Sequence, residues 1–155
     1  MTVRNKFRID ISIQADEWKK ALPALRDLTR RAVRSSLKHF EIETESEISI
    51  VFADDAFIRD LNKRYRNKDK PTNVLSFPQD GGTSLGDVVL AFETIKKESR
   101  EQNKKLKDHA AHMLVHGTLH LMGMDHENDG EAEEMESLEI LVLKGLGVKN
   151  PYEMK

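Results

Sequence analysis

The apolar positions of this chain recur with two periods, and the switches between them mark its elements. From Lys6 to Ile13 the residues Phe7, Ile9, Ile11 and Ile13 alternate with polar ones. That is the period of two of a strand with one buried face. From about Leu22 to Phe40 the spacing changes, with apolar residues at Leu25, Leu28, Ala32, Val33 and Leu37. This predicts an amphipathic helix, with Pro23 in its first turn, where a missing N–H is harmless. Alternation returns from Glu47 to Ala53 through Ile48, Ile50 and Phe52, a second strand. Asp54 or Asp55 then caps a helix bearing Phe57, Ile58, Leu61 and Tyr65. A short third strand is predicted from Asn73 to Phe77, after Pro71, followed by a loop from Gln79 to Leu85 that holds Gly81 and Gly82. The largely apolar run from Gly86 to Phe92 reads as a fourth, central strand.

From about Glu93 onward the pattern is helical. A first helix ends near Asn103, a second runs from about Lys104 to Met122 and stops at Gly123, and a third runs from about Gly130 to Lys144 and stops at Gly145. The order β-α-β-α-β-β-α-α-α predicts an α+β fold: one domain over residues 1–155, a mixed four-stranded sheet packed by helices. No repeat, low-complexity tract or linker interrupts it.

Composition narrows the function. The 155 residues suit one buried core, and 38% hydrophobic with 34% charged residues is a globular balance. A net charge of −2 excludes a uniformly basic nucleic-acid binder, so a polyanion must meet a local patch. The absence of cysteine excludes disulfides and thiolate ligands; any metal site must use His, Asp or Glu. No segment resembles a signal peptide or a membrane span, so a cytoplasmic protein without a membrane partner is expected.

The chemistry concentrates between His112 and His126. His116 and His120 are four residues apart, hence one turn apart on one helical face, where two imidazoles can converge on one ion. His109 and His112 share that broad face, but His112 and His120 are separated by about 12 Å of helix rise and cannot easily reach one ion. The third ligand is therefore expected beyond the helix end, where Gly123 lets the chain turn and His126 follows. The expected centre is one zinc ion per chain on His116, His120 and His126, on a helix and the loop after it. Three neutral imidazoles leave a position open, the pattern of a catalytic rather than a structural zinc. The spacing equals that of the metzincin peptidase motif, with one departure: the glutamate that serves there as general base is here Gly117.

Two basic runs suggest a phosphate partner. Lys63, Arg64, Arg66, Lys68 and Lys70 crowd one stretch with Tyr65 interleaved, an aromatic able to stack on a base; Lys96, Lys97, Arg100, Lys104, Lys105 and Lys107 form the other. Asp125 to Glu139, by contrast, carries eight acidic residues and no Lys or Arg.

The stretch from Tyr65-Arg66 through Pro71-Thr72-Asn73-Val74-Leu75-Ser76-Phe77, then Gly86-Asp87, then His116-Gly-Thr-Leu-His120-Leu-Met-Gly123-Met-Asp125-His126 resembles the bacterial YbeY family. The acidic stretch from Glu131 and the Pro151-Tyr152 ending are also similar, so the resemblance spans roughly Ile48 to Tyr152. It implies a metal-dependent, single-strand-specific endoribonuclease that matures the 3′ end of small-subunit rRNA and serves ribosome quality control. The expected partners are single-stranded RNA, rRNA precursor and the small ribosomal subunit, with no DNA. It also implies zinc on His116, His120 and His126, and catalytic roles for Arg66 and His116. A guanidinium at Arg66 can hold a phosphate in a bidentate fork. Two other readings stand beside this one: a metallopeptidase-like hydrolase, and a non-catalytic ribosome-assembly factor with structural zinc.

Overall fold

The computed structural model describes residues 7–42, 45–79, 82–125 and 127–153. Among them run β1 (Phe7–Ile13), α1 (Asp16–Ala21), α2 (Leu25–Leu37), β2 (Ser46–Ala53), α3 (Asp55–Arg66), β3 (Val74–Pro78), β4 (Ser84–Ala91), α4 (Phe92–Glu101), α5 (Leu106–Leu121) and α6 (Asp129–Gly145). The strands form one mixed sheet in the order β1-β2-β4-β3. β1, β2 and β4 are parallel, and β3 runs antiparallel to β4 along the far edge. The fold is the expected single α+β domain.

Strand alternation sorts side chains between two unequal cores. Ile48, Ile50, Phe52, Val88 and Leu90 face a large core built with α1, α2, α4, α5 and α6. Ala53, Leu75, Val89 and Ala91 face the opposite way, onto a small cluster that Ile58 of α3 completes. β4 is therefore buried on both faces, which is why its sequence lacks alternation. The helix α5 lies deep in the large core, with Ala110, Ala111, Leu114, Val115 and Leu119 fully buried. Burying each leucine contributes roughly 1.5–3 kcal/mol relative to exposure, so α5 is held firmly against the sheet.

Several boundaries differ from the sequence reading. The helix expected from Leu22 to Phe40 is shorter, Leu25–Leu37, and a separate helix, α1, precedes it. α1 spans only six residues and is anchored by Trp18, whose Nε1 donates to the Ala53 carbonyl at 2.9 Å and whose ring meets Phe52 and Phe92 edge-on. One buried aromatic in so short a segment leaves no period to read. β4 starts earlier than expected, at Ser84, and ends at Ala91, because Phe92 already opens α4. Lys6 and positions 80–81 of the expected loop lie outside the described residues. α6 runs through Gly145 and is ended by Gly147, whose φ is 80°.

Candidate active site

α5 ends as its sequence dictates. The Gly123 N–H donates to the His120 carbonyl and the Met124 N–H to the Leu119 carbonyl. With Gly123 at φ 91°, these bonds make a Schellman cap. The chain therefore turns away directly after the histidine-bearing turn. The His116 and His120 rings lie 4.6 Å apart, centroid to centroid, at an interplanar angle of 81°.

Both line a cleft of about 610 Å³ that runs along the β3 edge of the sheet. Its walls also include Arg66, Asn73, Val74, Ser76 and Asp125. Arg66, from α3 on one side of the sheet, and the histidine pair, from α5 on the other, thus meet over β3. His126 lies outside the described residues. Among those described, no three His, Asp or Glu side chains form a group that could hold an ion. The described residues supply two of the three expected ligands.

Arg66 is the last residue of α3, and the chain after it is folded back. Asn67 takes the left-handed conformation at φ 56°, and the Lys68 N–H donates to the Asn62 carbonyl. The Asn62 side-chain amide donates to the Lys70 carbonyl at 2.8 Å, and Arg59 pairs with Asp69 at 2.8 Å. The basic residues of α3 then divide. Arg59 and Arg64 are paired, with Asp69 and Asp60, whereas Arg66 has no carboxylate partner among the described residues. The second basic run lies elsewhere, around a separate depression lined by Lys96, Lys97 and Arg100.

Behind the histidine pair lies a polar network that sequence reading missed. Glu139 of α6 is 1% exposed and accepts from three donors: His112 Nε2 at 2.6 Å, His116 Nδ1 at 3.0 Å and the Tyr152 hydroxyl. Burial works to raise its pKa; the bonds from His112, His116 and Tyr152 outweigh it and hold the carboxyl at about 2. A carboxylate can only accept, so the proton on His116 must sit on Nδ1. In the neutral ring the lone pair then belongs to Nε2, the nitrogen a cation would use. The donor chemistry at His116 therefore fits a metal ligand braced from behind.

The same logic makes His112 a support and not a ligand. Its Nε2 donates to Glu139, and its Nδ1 is buried without a partner. Burial lowers its pKa, since a second proton would put an N–H where nothing accepts it. His109 Nε2 meets Glu98 at 2.8 Å, and Glu98 in turn accepts from the side-chain amide of Asn73. The signal for Glu139 was present in the sequence: it falls on the stripe Met135, Glu139, Val142, Leu143 that α6 buries, and an acid on such a stripe needs partners.

Gly117 bears on the peptidase alternative. A Cβ there would lie 2.6 Å from Val88 Cγ1 and 3.1 Å from Val74 Cγ2. This position faces the sheet, so the glutamate of a peptidase has neither space nor access to the cleft. Ser76 Oγ donates to the Gly117 carbonyl at 2.8 Å and ties β3 to α5 beside the histidines.

The fold and cleft define a class: an α+β domain whose chemistry-bearing residues gather at the free edge of a mixed sheet. The family model described as endoribonuclease YbeY matches residues 10–147, and the chain belongs to that family. It is 47% identical over 150 residues to endoribonuclease YbeY of Methylocella silvestris, covering 94% of this chain and 85% of that one. It is also 47% identical over 154 residues to the protein of that name from Azorhizobium caulinodans, covering 94% and 96% of the two chains. Over 114 residues it is 54% identical to the Rhizobium etli relative, covering 69% and 67%. A solution structure of a protein from Thermotoga maritima shares the fold, with a TM-score of 0.57, 21% identity, and coverage of 96% of this chain and 97% of that one.

Proposed function

We propose that this chain is a zinc-dependent endoribonuclease that cuts single-stranded RNA during maturation of the 3′ end of small-subunit rRNA, in the cytoplasm. The observation that carries the reading is the shared cleft: Arg66, free of any acidic partner among the described residues, faces the same space as His116 and His120. It stands in a chain whose relatives are named endoribonucleases.

His116, His120 and His126 would hold the ion. Bound there, it would supply Lewis acidity toward a phosphoryl oxygen and activation of water. The chain's own residues do the rest. Arg66 presents a planar fork of donors to two oxygens of the scissile phosphate and offsets the charge that develops there. Glu139 keeps His116 in one tautomer and one orientation. Lys63 and Lys68, near the end of α3 and in the loop beyond it, add backbone-phosphate attraction without base preference. No helix of the described residues is long and apolar enough to cross a membrane, which agrees with a partner met in the cytoplasm.

The test is incubation of the full chain, with its metal content measured, with rRNA precursor and separately with unfolded casein. Wild type should cut the RNA and leave casein intact. His120→Ala, prepared identically, should lose both metal and cleavage. Arg66→Lys keeps the charge but not the fork, and should keep metal while losing most cleavage. A folded, metal-loaded Arg66→Lys protein with full activity would remove Arg66 from the mechanism; proteolysis without RNA cleavage would reverse the reading.

A further inference from the structure

The cleft runs along an open strand edge, and hydrogen-bond parity along that edge identifies which backbone groups face it. β3 pairs with β4 in unbroken antiparallel register, from Val74↔Leu90 to Pro78↔Gly86. Just beyond its two ends, the Ala91 N–H donates to the Asn73 carbonyl and the Gln79 N–H to the Leu85 carbonyl. Bonded pairs recur every second residue in such a ladder, so Leu75 and Phe77 also turn their polar groups toward β4. Val74, Ser76 and Pro78 therefore turn theirs outward, into the cleft they line.

Of these three positions, two offer no donor. The Val74 N–H is taken by the Asn73 side-chain oxygen at 2.7 Å, and Asn73 is itself held by Glu98. Pro78 has no N–H. Among the described residues this leaves the Ser76 N–H as the one unpartnered donor on the edge, midway along it. Its side chain is engaged separately, with the Gly117 carbonyl next to His116. Unpaired edge donors are a liability that proteins normally cover; here the flanking positions are closed and the central one is left facing the cleft. An N–H in that place suits an anion, and the ligand class is set by Arg66 across the same cleft: a phosphodiester.

We infer that the Ser76 backbone N–H is an anion-binding donor that, opposite Arg66, holds a non-bridging oxygen of the substrate phosphate. The inference rests on the endoribonuclease reading. It assigns the two sides of the phosphate to different elements: a charged fork from α3 and a neutral, rigidly held donor from β3. A backbone donor cannot be replaced by altering a side chain, but proline removes it. Proline is tolerated at outward positions of edge strands, and Pro78 already occupies the equivalent outward position two residues on.

The experiment compares Ser76→Pro, which lacks both the N–H and the hydroxyl, with Ser76→Ala, which lacks only the hydroxyl. Both are assayed as full chains with measured metal content. Both variants lose the tie to the Gly117 carbonyl, so the difference between them reads the N–H alone: Ser76→Pro should cleave single-stranded RNA about 100-fold or more slowly than Ser76→Ala, the scale of removing one such donor. A second measurement is independent of folding of the variant. In the ¹⁵N-labelled wild-type chain, a 2′-O-methyl phosphorothioate oligonucleotide should move the Ser76 amide proton downfield and leave the Val74 amide nearly unchanged. Equal activity in two folded variants overturns the inference. So does a Ser76 amide that ignores the oligonucleotide and responds to an extended casein peptide, which would make the edge a peptide-pairing strand. Wild type without any RNA cleavage would count against the endoribonuclease reading, and the oligonucleotide titration would still decide whether Ser76 binds phosphate.

Discussion

Three donors meet on one buried carboxylate at Glu139. His116 is oriented from behind; His112 and Tyr152 serve the carboxylate that orients it. Glu139→Gln keeps the shape but puts an amide N–H against groups that themselves donate. Losing such a brace typically costs 10- to 100-fold in metal affinity. Chelator competition on the full chain should show a loss of about that size, with the fold retained. An affinity equal to wild type would mean Glu139 is structural only. Sequence spacing put His116 and His120 together on one face because position around a helix is local. It could not place Glu139 behind His116, or Asn73 and Ser76 in the cleft, because their placement depends on contacts 23 to 41 residues apart along the chain, such as His116–Glu139 and Ser76–Gly117.

Elements carry the same contrast. α5 and β4 touch at Gly117, where even a methyl group would press on Val88 and Val74. Gly117→Ala should destabilise the protein by about 1–3 kcal/mol, the usual cost of overpacking a filled core. It should lower the unfolding temperature by several degrees while the histidine pair stays in place. Thermal unfolding beside metal content checks this; an unchanged midpoint would show that the two elements are looser than the distances indicate. The strands and long helices were legible because each buries a face with its own period, and Gly123 was legible as the end of α5 because a left-handed cap selects glycine. α1 was not, since its one anchor, Trp18, is defined by Ala53, Phe52 and Phe92 from other elements. The sequence pattern predicts a helix end at Gly145, but that residue stays inside α6; the left-handed cap falls at Gly147, with the Val148 N–H returning to the Leu143 carbonyl.

At the scale of the molecule, the buried network makes the fold sensitive to acid. Burial lowers the His112 pKa, so below about 6.5, the ordinary histidine value, the unfolded chain takes up a proton that the folded chain resists. Stability must fall as pH drops through that value. Glu139 acts in a lower window: its folded pKa of about 2 lies below the ordinary 4.5, so the stability it contributes is whole above 4.5 and is lost between about 4.5 and 2. The unfolding temperature of metal-free protein should therefore fall from pH 7 to 5, and fall again below pH 4.5. His112→Leu should flatten the first drop. A first drop of the same size in that variant would assign the acid sensitivity elsewhere. The two halves of the cleft also come from opposite faces of the sheet, Arg66 early in the chain and His116 late, with Glu139 and Tyr152 later still. During synthesis Arg66 leaves the ribosome well before its counterparts, so a nascent chain that ends before His116 carries only one half of the cleft.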